Sequence, residues 1–155
     1  MTEFEGRLQP GGRVAMVVSR YHERITSRLL EGAMVACLEA GLPAGDVDVL
    51  WVAGAFELGV VCSAAAHSGR YSAIVALGAV IRGETPHFDY VAGETAAALS
   101  RAASDALVPV GFGLLTCDTL AQAESRAGGA AGNKGREAAE AALRTADLIR
   151  QALDE

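Results

Sequence analysis

The densest chemistry in this sequence surrounds His87, which follows Gly83-Glu84-Thr85-Pro86 at the exit of the apolar run Ala73–Val80. Thr85 before Pro86 reads as a helix N-cap followed by the first helical residue. That reading places the backbone N–H groups of Gly83, Glu84 and Thr85 at a helix N-terminus. Unpaired donors and the positive end of the helix dipole favour an anion there, and Gly83 lets a phosphate come close to the backbone. His87 then falls on the first turn, beside the anion site. Imidazole takes and gives protons near pH 7, so this spacing points to proton transfer next to a bound phosphate.

Other loops offer matching groups. Gly54-Ala55-Phe56-Glu57 leaves a second apolar run; its glycine exposes backbone donors and acceptors, and Glu57 can accept hydrogen bonds from a polyol. Tyr21, after the first apolar run, presents a ring for stacking on a planar heterocycle. Arg126 and Lys134 have no obvious carboxylate partner in the sequence, and the arginine carries the planar fork that suits phosphate oxygens. His22 and His67 lack a comparable setting; His67 reads as a solvated helix end. No CxxC, HExxH, GxSxG or G-x-x-x-x-G-K-[ST] occurs, so metal-site, zinc-protease, serine-hydrolase and Walker-type readings have no motif behind them.

The elements that must position these loops follow from the hydrophobic pattern. Near-continuous apolar runs at Arg13–Ser19, Val47–Ala53, Ala73–Val80 and Val108–Thr116 predict strands covered on both faces, as in a parallel sheet. Helical stretches run over Ile25–Ala40, Glu57–Ser68, Pro86–Ala106, Leu120–Ala127 and Lys134–Asp154. This alternation predicts an α/β three-layer sandwich with a four-stranded parallel sheet and right-handed crossovers. Ligands in such sheets gather at the strands' carboxyl ends, here the loops Arg20–Arg24, Gly54–Glu57, Ile81–Asp89 and Cys117–Thr119. Residues 1–12 read as an N-terminal arm and 13–155 as one domain, with Gly128–Gly135 a flexible hinge between two helices. The Ala-rich stretches Thr95–Ala103 and Ala138–Ala142 offer more small surface than one sheet face needs, which predicts close helix packing between subunits of a homo-oligomer.

Composition narrows the class further. A chain of 155 residues with 51% apolar side chains can bury a core without staples. Its net charge of −6 argues against a nucleic-acid partner, which would call for clustered basic excess. No apolar run approaches the length of a bilayer span and no signal pattern opens the chain, so a cytoplasmic protein without membrane contact is expected. Cys37, Cys62 and Cys117 lie far apart inside apolar segments, which predicts reduced, buried thiols.

The segments GAFEL (Gly54–Leu58), LGAVIRGETPHFDYVAGE (Leu77–Glu94), FGLLTCDTLAQAESRAG (Phe112–Gly128) and GNKG (Gly132–Gly135) resemble the 6,7-dimethyl-8-ribityllumazine synthase family in order and spacing, over nearly the whole chain. The resemblance implies a flavodoxin-like fold. It also implies a cofactor-free condensation of 5-amino-6-(D-ribitylamino)uracil with 3,4-dihydroxy-2-butanone 4-phosphate, the penultimate step of riboflavin biosynthesis. On this resemblance Tyr21 stacks on the pyrimidine, Ala55, Phe56 and Glu57 hold the ribityl chain and ring, and Ala79, Val80 and Ile81 line the pyrimidine edge. Gly83, Glu84 and Thr85 meet the butanone phosphate and His87 moves protons, while Phe112, Arg126 and Lys134 come from a neighbouring subunit, Arg126 onto the phosphate. Pentamers are implied, with the N-terminal arm adding a strand to a neighbour's sheet. The short Gly128–Gly135 connection is compatible with a sixty-subunit shell. The sequence departs from the pattern at His22, where many members carry Asn, and at Glu84, where Asp or Gln is common. A flavin-binding module without chemistry and a container protein are the competing readings; intact His87, Arg126 and Glu57 favour the enzyme.

Overall fold

The computed structural model describes residues 1–154. Strand β1 (Val14–Ser19) leads into helix α1 (Glu23–Glu39), and β2 (Val47–Val52) into α2 (Leu58–His67) through a single 3-10 turn at Ala55–Glu57. Strand β3 (Ala73–Ile81) precedes α3 (His87–Ala106), and β4 (Val110–Cys117) precedes the short α4 (Leu120–Arg126). A ribbon of β5 (Ala127–Gly129) and β6 (Gly132–Asn133) then delivers the chain into α5 (Lys134–Leu153). The first four strands form one sheet in the order β2-β1-β3-β4, every pairing parallel.

Side-chain alternation divides the core into two layers. Val14, Met16 and Val18 of β1 face α1 and α5, while Ala15 and Val17 face α2 and α3; β3 repeats this with Ala73, Val75 and Leu77 against Ile74 and Ala76. The expectation of strands covered on both faces therefore holds for β1 and β3, which are central and buried throughout but for Ile81. It fails for β2 and β4. These are the sheet edges, and Val49 (38% exposed) and Phe112 (53% exposed) reach the surface.

Two further expectations need correction. Ala138, Ala139 and Ala142 are buried within the chain, where α5 meets α1 and β4, so that stretch serves internal packing. Gly111 is part of the reason: a Cβ there would strike the Ala138 carbonyl. The Gly128–Gly135 segment is an antiparallel ribbon pinned to α1, not a hinge. The Asn133 side chain donates to the Arg28 carbonyl at 3.0 Å and accepts from the Arg136 N–H at 3.0 Å. Gly128 and Gly132 occupy positive φ (96° and 84°), which suits glycine.

All three cysteines are buried and unpaired. Burial pushes the Cys37 thiol up to about 11 and the Cys62 thiol up to about 12, and raises that of Cys117 as well. No helix among the described residues is long and apolar enough to cross a membrane.

The N-terminal arm lies along the chain's own α5. Asp147, whose side chain is only 1% exposed, accepts the Arg7 N–H at 2.7 Å, the Gln9 amide, the Gln151 amide at 2.6 Å and Arg150 at 3.2 Å. Those donors, Gln9 first, hold its carboxyl down at about 2. A folded-state value below the unfolded value of about 3.9 means stability that is present above pH 4 and lost as the pH falls towards 2. We therefore expect the urea midpoint to decline through that window in the native chain. In Asp147→Asn it should start lower and change less between pH 4 and 2; equal slopes for the two proteins would contradict the assignment.

Candidate active site

Three loops converge because the ladders continue past the ends of the strands. The Arg20 and Tyr21 N–H groups donate to the Val52 and Ala53 carbonyls at 2.8 and 3.1 Å, which carries Tyr21 alongside Gly54. Buried Thr26 ties the start of α1 to β1 through the Ser19 carbonyl at 2.7 Å. Thr95 of α3 donates to the Ala55 carbonyl at 3.3 Å and so fixes the Ala55–Glu57 turn against the helix that bears His87. Gly59 lets α2 and α3 approach, since a Cβ there would sit 2.6 Å from the Ala98 methyl.

The result is a cavity of about 1020 Å³ at the carboxyl ends of β1, β2 and β3. Of the residues expected from the sequence, Tyr21, Ala55, Phe56, Glu57, Ala79, Val80, Ile81, Gly83, Thr85 and His87 line it. Glu84 lies between two lining residues without being one, and Phe112, Arg126 and Lys134 stand outside it. The lining also includes Gly54, of the expected loop, and His22, where the sequence departs from the family pattern, together with Phe88, Tyr90, Val91 and Glu94, which sequence reasoning did not place in the site. The α3 members were accessible in principle: His87, Tyr90, Val91 and Glu94 follow helical spacing and share one face.

The anion loop differs in detail from its expected form. Helix α3 begins at His87, one residue later than expected, and Pro86 occupies the cap position with φ −69° and ψ 4°. The Thr85 hydroxyl accepts the His87 N–H at 3.4 Å, as a side chain capping the helix would. Among the described residues, no acceptor takes the N–H of Gly83, Glu84 or Thr85. These three N–H groups therefore lie in the loop just before the cap and not in the first turn of the helix itself.

His22 lies at the rim with φ 58°, in the left-handed region, and its ring meets that of Tyr21 edge-on at 4.7 Å between centroids. Asn and His are among the few side chains that tolerate this backbone, which accounts for either residue standing here.

The two distal cations differ from each other. Lys134 does have a carboxylate partner, Glu137 one turn on at 3.4 Å, contrary to the sequence reading. Arg126 donates to the Gln122 carbonyl at 3.1 Å, and among the described residues no carboxylate lies within ion-pair distance.

Fold and site together define a parallel α/β protein whose strand ends border a cavity that brings together the Tyr21 ring, the Glu57 carboxylate and the His87 imidazole. The family model described as 6,7-dimethyl-8-ribityllumazine synthase matches residues 11–150. A 6,7-dimethyl-8-ribityllumazine synthase of Gemmatimonas aurantiaca is 54% identical over 154 residues, covering 99% of this chain and 94% of that protein. The chain belongs to the 6,7-dimethyl-8-ribityllumazine synthase family.

Lys134 is presented by a helix start with no spare room, for a Cβ on Gly135 would collide with the Leu29 carbonyl. Gly135→Ala should accordingly destabilise the chain by about 1–3 kcal/mol, the usual range for overpacking. Thermal or urea unfolding measures this, and an unchanged midpoint would show that α1 and α5 separate freely.

Proposed function

We propose that this cavity is where the chain condenses 5-amino-6-(D-ribitylamino)uracil with 3,4-dihydroxy-2-butanone 4-phosphate, and that His87 is its proton-transfer residue. The observation that carries the reading is the meeting, in one cavity, of the His87 imidazole, the free amides beside Gly83 and Thr85, the Tyr21 ring and the Glu57 carboxylate.

Tyr21 stacks on the pyrimidine ring, and the backbone of Ala79, Val80 and Ile81 borders its edge. Ala55, Phe56 and Glu57 take the ribityl chain, whose hydroxyls suit a carboxylate acceptor. The phosphate sits on the N–H groups of Gly83, Glu84 and Thr85. The pyrimidine amine attacks the ketone and water leaves, giving an imine. Loss of a proton from the adjoining carbon drives the phosphate out as its anion. The resulting enol tautomerises, and the ribityl-bearing nitrogen closes the ring on the new carbonyl with loss of water. His87 takes and returns the protons of these steps. Holding the two substrates in register supplies the larger share of the rate, since effective molarity can contribute roughly 7–11 kcal/mol.

Phe112, Arg126 and Lys134 complete the site from a neighbouring copy, Arg126 on the phosphate. Their place outside the chain's own cavity supports this, as does the exposure of Phe112. A homopentamer follows as the assembly, with the N-terminal arm reaching a neighbour's sheet, and the short β5–β6 ribbon suits a sixty-subunit shell. The enzyme works in the cytoplasm on small-molecule substrates. Sedimentation should give a pentamer or its multiple; a monomer that retains full activity would dismiss the shared site.

Product absorbance, read against the uncatalysed reaction, tests the roles. His87→Ala should lower kcat by about 10²- to 10⁴-fold without abolishing turnover, the usual range for general acid–base catalysis. Arg126→Ala should chiefly raise KM for the butanone phosphate. An unaffected kcat in the first variant, or an unaffected phosphate substrate in the second, would remove the corresponding role.

A further inference from the structure

Arg82, next to the anion loop, is not among the residues lining the cavity, yet its guanidinium reaches two other elements at once. Its Nε donates to Asp118, between β4 and α4, at 3.0 Å, and a terminal nitrogen lies 3.4 Å from Asp89 in the first turn of α3. The guanidinium carbon stands 4.3 Å from the centroid of Phe88, which lines the cavity beside His87. Arg82 and Asp118 are themselves held at the backbone. The Arg82 N–H donates to the Cys117 carbonyl at 2.9 Å, and the Asp118 N–H donates to Gln122 at 2.8 Å within the capping box that opens α4.

Arg82 is 44% exposed and its carboxylate partners more so; ion pairs of that kind contribute little to global stability. What the arrangement does fix is direction. A planar fork engaged along two edges, with its face on an aromatic ring, has far less freedom than an ammonium group on a flexible stem. The element it restrains is the first turn of α3, where neighbouring backbone hydrogen bonds are fewest.

We propose that Arg82 is a positioning residue for the reaction: bridging Asp118 and Asp89 across the Phe88 ring, it holds the first turn of α3 so that the His87 imidazole meets the bound substrates. This rests on the role given to His87 above. Arg82 moves no proton itself; its contribution is to the angle and distance from which His87 acts.

The test is a double-mutant cycle in the assembled enzyme, with circular dichroism and sedimentation as checks on fold and assembly. Arg82→Met should lower kcat about tenfold, within the roughly 10²-fold that a 1 Å misplacement can cost, with each KM changed by less than about twofold. Arg82→Lys, which keeps the charge and loses the fork, should remain impaired. In a His87→Ala background Arg82→Met should cost less than about twofold more, because the group it aims is gone. The same tenfold loss in both backgrounds, or none in either, overturns the proposal. So does a raised KM for the butanone phosphate at unchanged kcat, which would make Arg82 an anion ligand. If His87→Ala alone leaves kcat intact, the assignment of His87 fails first and takes this one with it. Should Arg82→Met not assemble, Asp118→Ala on the exposed loop runs the same cycle: coupling to His87 supports the proposal and additivity overturns it.

Discussion

The parallel pairing of β1 with both β2 and β3 is the constraint from which the rest follows. Parallel neighbours cannot be joined by a tight turn, so the chain returns each time through a helix and every strand-to-helix loop emerges at the same end. Register fixes the depth of each loop. Val18 sits opposite Trp51 and Leu77, so Tyr21 and Gly54 stand level with Val80, and the anion loop leaves β3 three residues further along the same end of the sheet. None of the side chains in the cavity needs to find another on its own, since the hydrogen-bonded ladder delivers them together.

That ladder also explains what could be read from the residues alone. Continuous apolar runs revealed the strands and glycine-marked exits revealed the loops, because both are local properties. Which strands lie at the edge is not local, and the composition of β2 and β4 does not distinguish them from the centre. The inward face of α3 was hidden for a related reason. Helical periodicity identifies a stripe, but Tyr90, Val91 and Glu94 mix polar with apolar character where the stripe borders a cavity instead of a core. The Lys134–Glu137 pair was missed although its i, i+3 spacing is a local signal that the sequence carries.

Glycine shows the limit of composition most plainly. The segment Gly128–Gly135 looks mobile because glycine is permissive, but its glycines act in two ways. Gly128 and Gly132 supply backbone angles, while Gly135 supplies the absence of a side chain against α1. A sequence cannot separate conformational freedom from lack of volume. The first suggests a hinge; the two together make a rigid corner that sets Asn133 and Lys134 on the surface of the fold.

The clasp on Asp147 bears on association. A segment that must be ordered at the moment of contact opposes binding with its lost freedom, by about 1–2 kcal/mol for each backbone residue fixed. Here residues 7 and 9 are already tethered to α5 before any partner arrives. Whatever meets this arm encounters a preorganised surface, and the entropic cost of shaping it belongs to folding, not to encounter.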